Sequence, residues 1–241
     1  MNLENKQIEL SVVVLCYRSE ENVIPFVDKL KKILENLTDA WQLVLVGNYI
    51  KGSQDKTKDI IRELAKADAR IKTVIKPKRG MMGWDMRKGM AAADGKYICV
   101  IDGDGQFPIE SIGQCFKLIK EKNLDLVKTY RIKRDDGFYR ICISKIYNFI
   151  FKILFPNIKC KDANSKPKIL TREAYKKLNL TSNDWFIDAE IMINVRRYKM
   201  KFEEFPIHFY NITTRTSFVK FGAIFEFLKN LLIFRIKEFF R

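Results

Sequence analysis

A strand-then-helix rhythm runs through the first half of the chain and leaves few folds open. Leu10 to Cys16 is an apolar, β-branched run, and Asn22 to Leu37 has helical periodicity. Gln42 to Val46 then reads as strand, Asp55 to Lys66 as helix and Arg70 to Ile75 as strand. Gly83 to Ala93 reads as helix, Tyr97 to Ile101 as strand, Ile109 to Lys122 as helix and Asp125 to Tyr130 as strand. Strands that are apolar throughout, each followed by an amphipathic helix, bury both sheet faces. The fold class expected is α/β, a mostly parallel sheet with helices on both faces.

The fourth strand runs straight into Asp102-Gly103-Asp104-Gly105-Gln106-Phe107-Pro108. A strand ending in Asp-x-Asp holds two acids at the carboxyl edge of the sheet, where open α/β folds bind their ligands. Hard oxygen donors on such an edge suit Mg²⁺ or Mn²⁺ carrying a diphosphate. Just before this strand, Lys78 to Gly89 opens a basic, glycine-containing helix. Glycines allow close approach of the backbone, and a helix start favours anions.

The second half changes character. Phe138 to Phe155 is a long aromatic-rich helix with Lys145, Asn148 and Lys152 on one stripe and Ile143, Ile146, Ile150 and Leu154 away from it. Asp184 to Arg197 looks helical and Lys201 to Tyr210 strand-like. Phe218 to Phe240 is a basic, Phe-rich helix whose Phe218, Phe221, Phe225, Leu228, Leu232, Ile236 and Phe239 fall on one side. The expected organisation is an α/β domain over 1–215 and an amphipathic helix over 216–241, placed on a membrane surface or packed on the domain.

The net charge of +16 over 241 residues points to an anionic partner: phosphate-rich substrate, anionic lipid or nucleic acid. No stretch reaches the ~18 apolar residues of a membrane span. The five cysteines have no paired spacing, which reads as reduced, packed thiols in a cytosolic setting. His208, the only histidine, lies in an alternating aromatic strand and reads as structural.

Together, Val13 to Tyr17, Gly80 to Gly89, the Asp-x-Asp-x-Gln-x-Pro block, Tyr130-Arg131, Arg140 with Ser144, Asp188-Ala189-Glu190 and Arg215 to Lys220 carry a resemblance. The chain resembles the family-2 glycosyltransferases of GT-A fold, and most of all the polyprenyl-phosphate group that includes dolichyl-phosphate mannose synthases. The resemblance implies a Rossmann-like GT-A sheet. It implies that Asp104 and Gln106 hold Mg²⁺ or Mn²⁺, with Asp102 in the metal set and beside the donor ribose. It places Tyr17, Asn48, Asp102, Arg215 and Lys220 at the donor nucleotide, and Arg131, Arg140 and Ser144 at the acceptor phosphate. Asp188 and Glu190 fall where inverting members carry active-site acids.

Two departures from the family pattern stand out. After strand two the family has an Asp-Asp pair in which an acid reads the base, whereas this chain has Gly47-Asn48-Tyr49. The Arg215–Lys220 spacing differs by about one residue from the family pattern. The resemblance implies transfer of a hexose from a nucleoside-diphosphate sugar to a polyprenyl phosphate, peripheral on the cytoplasmic face of a membrane. Transfer to a sugar hydroxyl with Asp188 or Glu190 as base is the alternative within the class. A basic module binding RNA or anionic membrane is the rival outside it; beyond charge, nothing in the sequence marks nucleic-acid binding.

Overall fold

The computed structural model describes residues 7–134, 138–210 and 221–239. Within these residues seven strands form one sheet: β1 (Leu10–Leu15), β2 (Trp41–Val46), β3 (Ile71–Val74), β4 (Tyr97–Asp102), β5 (Leu126–Arg134), β6 (Lys168–Thr171) and β7 (Phe202–Phe209). Their order is β3-β2-β1-β4-β6-β5-β7. Strands β1 to β4 are mutually parallel, as are β5 and β7, while β6 runs antiparallel to both its neighbours. The mostly parallel α/β sheet expected from the rhythm is present.

Among the described residues eight α-helices cover the sheet: α1 (Val23–Glu35), α2 (Thr57–Ala67), α3 (Met82–Ala92), α4 (Ser111–Glu121), α5 (Phe138–Leu154), α6 (Arg172–Leu178), α7 (Ile187–Arg197) and α8 (Phe221–Phe239). Alternation along each buried strand divides the core in two. Val13, Val100 and Leu170 face a cluster built with α3, α5, α7 and α8, including Met86, Phe151, Ile191 and Leu231. Val12, Val14, Cys99 and Ile101 face the other, with Leu30, Ile61, Ile112 and Phe116.

β6 and α6 were not foreseen. β6 is four residues long and starts at a lysine, so its apolar signal is only Ile169 and Leu170. Helix α8 packs on the core by Phe227, Leu228, Leu231 and Phe234. Phe227 and Phe234 lie edge-on or tilted against Phe186, with ring centroids 5.9 and 4.7 Å apart. The docked face is therefore rotated from the stripe read in the sequence: Phe234, off that stripe, is packed, whereas Leu232 and Ile236 are exposed. On α5, Ile150 and Leu154 pack inward, but Ile146 is exposed with Phe149 and Ile153.

Candidate active site

The carboxyl ends of four parallel strands lie level, because Leu15 pairs with both Val46 and Asp102, and Val46 with Val74. The chain leaves β1 outward to β2 and β3, then returns to β4 on the other side, so the crevice between β1 and β4 is a topological switch point. The acidic turn sits there. Gly103 N–H donates to Leu15 O at 3.0 Å, and Gly105 takes φ +75°, a conformation glycine adopts without strain. Gln106 N–H donates to Asp104 Oδ1 at 3.1 Å. Gln106 Nε2 donates to Tyr210 O at 3.3 Å and Tyr210 N–H to Gln106 O at 3.0 Å, which stitches the turn to the end of β7. Two carboxylates and an amide oxygen on one braced turn form an open set of hard donors. That set fits Mg²⁺ or Mn²⁺, which fill their remaining positions with water and phosphate oxygens.

Behind the turn lies an ion network that the sequence reading missed. Lys166 Nζ stands 3.2 Å from Asp102 Oδ2 and 3.3 Å from Asp188 Oδ2. Lys168 Nζ lies 2.5 Å from Asp188 Oδ1. Both lysines and Asp188 are buried. Burial opposes the charge on Lys166, but Asp102 and Asp188 outweigh it and raise its pKa to about 12. Burial, opposed by Asp188 and reinforced by Lys166 and Lys128, brings Lys168 down to about 8. Burial would raise the Asp188 carboxyl, yet the two ammonium groups hold it below its ordinary value. Asp188 is thus an anion gripped at both oxygens. Glu190 is also engaged: it accepts from Thr181 N–H, the Thr181 hydroxyl and Ser182 N–H at 2.7 to 2.9 Å.

Arg131, on β5, makes a bidentate pair with Asp162, Nε to Oδ2 at 2.6 Å and an Nη to Oδ1 at 2.9 Å. Burial acts to raise the Asp162 carboxyl, but Arg131, with Lys128 and Lys168 behind it, holds it well below the usual carboxylate range. Lys128 is itself fully buried, donating to the carbonyls of Thr129 and Asp162 and to Glu204. Arg131 and Asp162 open onto a cavity of about 430 Å³ against α5. Ser144, Lys145, Asn148, Lys152 and Lys161 line it with Ile132, Ile141 and Phe149. The structure thus brings Arg131 and Ser144 to one cavity. Arg140 lies on α5 one turn before Ser144, its side chain outside the described residues, and Arg215 and Lys220 also lie outside them.

On the other side of the switch point, Tyr17 follows β1 and Asn48 follows β2. Asn48 is buried, with its Nδ2 donating to Asp85 Oδ1 at 2.8 Å and its Oδ1 accepting from Lys76 N–H at 2.8 Å. Lys78 Nζ pairs with Asp85 Oδ2 at 2.5 Å and sits 4.0 Å from the Tyr17 ring centroid. The glycines at the start of α3, Gly80 just before it and Gly83 in its first turn, serve packing. A Cβ on Gly83 would stand 2.5 Å from Asp184 O, and one on Gly80 would stand 2.5 Å from Asn183 O. Those positions are closed by the 182–184 loop, a correction to reading them as room for a ligand.

The comparisons with known proteins agree with this geometry. Residues 11–179 match the family described as Glycosyl transferase family 2, which takes in the acidic turn, Arg131, Ser144 and the paired lysines. A dolichyl-phosphate beta-glucosyltransferase of Trichomonas vaginalis is 26% identical over 99% of this chain and 76% of its own length. A dodecaprenyl-phosphate galacturonate synthase of Rhizobium johnstonii is 26% identical over 73% of this chain, which covers about half (51%) of that relative. In fold, the chain resembles glucosyl-3-phosphoglycerate synthase of Mycobacterium tuberculosis, solved with Mn²⁺, uridine diphosphate and phosphoglyceric acid. The TM-score is 0.71 at 18% identity, covering 94% of this chain and 78% of that one. The match therefore extends from the sheet edge to the motifs on it, and the chain belongs to glycosyltransferase family 2, with the GT-A fold.

Proposed function

We propose that the protein is a metal-dependent, inverting glycosyltransferase that moves a hexose from a nucleoside-diphosphate sugar to a polyprenyl phosphate at the cytoplasmic face of a membrane. Asp104 and Gln106, with Asp102, would hold Mg²⁺ or Mn²⁺, which neutralises the diphosphate leaving group. The observation that carries the acceptor assignment is the engagement of both candidate bases. A sugar hydroxyl must lose a proton to attack, and needs a free base. Asp188 is held by two ammonium groups and Glu190 by three donors. A phosphate monoester, with its second pKa near ~6, arrives already ionised and needs none.

The cavity beside Arg131 supports the same reading. Its three lysines and Ser144 supply charge-assisted donors for a phosphate, and its isoleucines and Phe149 suit the first apolar units of a lipid. Exposed Ile146, Phe149 and Ile153 beside Lys145 and Lys152 support seating α5 at an anionic membrane surface. The relatives named for dolichyl and dodecaprenyl phosphates support it independently. The test is incubation with UDP- and GDP-sugars, Mn²⁺ and a short polyprenyl phosphate. A lipid-linked monosaccharide of inverted anomeric configuration is expected. Transfer only to free glycans, or full transfer in excess chelator, would overturn the assignment.

A further inference from the structure

We propose that Lys166 is a positioning residue of the transfer site, an internal cation that takes up one oxygen of Asp102 and offsets its charge. The acidic turn then holds a divalent metal loosely and draws the donor diphosphate in. This rests on the metal and nucleotide-sugar reading above.

The ammonium acts through its neighbours, because its own donors are spent. Nζ lies 3.2 Å from Asp102 Oδ2, 3.3 Å from Asp188 Oδ2 and 3.3 Å from Met82 Sδ, and the residue is 2% exposed. An ammonium has three N–H groups, so none is left for a ligand. The backbone is equally fixed. Lys166 O accepts from the Thr129 hydroxyl at 2.5 Å, and the Ser165 hydroxyl lies 2.8 Å from that same hydroxyl. These bonds pin the segment before β6 to β5.

Asp188 does not require this second cation. Lys168 already stands 2.5 Å from its Oδ1, in a fully buried pair. The partner that distinguishes Lys166 is Asp102, whose side chain is 24% exposed at the end of β4. Water can satisfy a carboxylate that solvent reaches, whereas burying an ammonium against it costs desolvation. The contact therefore serves the turn rather than the core. A cation approaching Asp102 Oδ2 meets the Lys166 ammonium, which leaves Asp102 only its other oxygen to offer. Across the network, the ammonium groups of Lys166 and Lys168 match the carboxylates of Asp102 and Asp188. The field of Lys166 works in opposite senses on the two ligands. It repels Mg²⁺ or Mn²⁺ and attracts a diphosphate, roughly tenfold in affinity for each at the effective dielectric near a protein surface.

The experiment measures the two ligands apart, on the full chain. Mn²⁺ is titrated without nucleotide and followed by the electron paramagnetic resonance signal of the free ion. UDP is titrated calorimetrically in excess chelator. Lys166→Met keeps the apolar stem and leaves Asp188 paired with Lys168, and Lys166→Gln also keeps a hydrogen-bond donor for Asp102. Each variant is expected to bind Mn²⁺ about fivefold or more tighter than the wild type, and UDP about fivefold or more weakly. A lesion that only loosened the fold would weaken both ligands together. Where one variant does not fold, the other carries the test. Shifts of the same sign, or affinities within about twofold of the wild type, would overturn the proposal while the donor reading stands. Loss of the native fold in both variants would also overturn it, making Lys166 a core counter-charge alone. If the wild type binds neither Mn²⁺ nor UDP, separately or together, the donor reading itself fails and takes this proposal with it.

Discussion

Lys166 Nζ lies 3.2 Å from Asp102 Oδ2, so the first acid of the Asp-x-Asp turn is tied to a buried lysine. Through its second contact, with Asp188 on α7, Lys166 couples the edge of β4 to the helix behind the sheet. Neutralising Asp188 would remove the carboxylate paired with Lys168 in a fully buried site. Breaking one partner of a buried pair costs about 3–5 kcal/mol. Asp188→Asn should therefore lower the urea midpoint strongly. A general base would behave otherwise: the same variant would lose turnover and keep its stability. Urea titration beside single-turnover kinetics separates the two roles.

Asp104 is half-buried on the acidic turn and accepts from Gln106 N–H through Oδ1, a bond that an asparagine oxygen can keep, so Asp104→Asn tests the metal with the turn preserved. Asp104→Asn should retain the fold and unfold at nearly the wild-type temperature. The stabilisation by UDP that depends on Mn²⁺ should vanish, since a ligand raises stability only in proportion to its binding. A thermal shift by UDP with Mn²⁺ that persists in Asp104→Asn would remove this residue from the metal set.

Asp162 gives the protein a sharp acid limit. Its folded pKa lies well below the unfolded value of about 3.9. The unfolded chain thus binds its proton first as pH falls. The stability this carboxylate contributes is fully present above pH about 4–5 and drains as pH drops through 3.9 toward the folded value. Asp68, held down by Arg70 and Lys31 against its burial, adds to the same loss. Urea midpoints measured from pH 7 to pH 3 should fall steeply below pH 4. In Asp162→Asn the midpoint at pH 7 should be lower and the slope below pH 4 shallower. An unchanged slope would mean that Asp162 is not ionised by its pairing with Arg131.

The strand–helix order was legible because each of β1, β2 and β4 is a run of apolar residues and the helices keep their period. The acidic turn was legible because adjacent residues carry it. Lys166 and Lys168 were not. Their partners Asp102 and Asp188 are distant in sequence, and nothing local distinguishes a buried lysine from a solvated one. One signal was available: Lys168 falls two residues before Leu170, which is core, and so shares its strand face. Asn48 was located but its surroundings were not, since Asp85 comes from a helix whose acid is invisible in a β2 motif. The packed face of α8 was misjudged because apolar residues surround that helix, and partners distant in sequence, Phe186 and Tyr147 among them, decide which of them dock.

Helix α8 is part of the fold's core as well as a candidate membrane contact, and the two roles separate by position. Leu231 is fully buried, and Phe227 lies 4.3 Å from Tyr147, centroid to centroid, joining α8 to α5. Asn230 Nδ2 donates to Asp184 Oδ2 at 2.8 Å, and Arg196 pairs with Glu238. Leu231→Ala should destabilise the protein by about 2–5 kcal/mol, as other buried leucine truncations do. The outward residues Leu232, Ile236, Lys229 and Lys237 are exposed, and Lys237 meets the packed face only through its ammonium, 5.8 Å from the Phe234 ring centroid. Each lysine near an anionic surface contributes roughly 1 kcal/mol. Lys229→Glu/Lys237→Glu should leave the melting temperature nearly unchanged. It should weaken co-sedimentation with anionic vesicles more than tenfold at low salt, with the difference shrinking as salt is raised. Leu231→Ala, where still folded, should bind vesicles as the wild type does. If the charge-reversed protein binds anionic vesicles as well as the wild type, α8 is a packing helix alone and any membrane contact lies on α5.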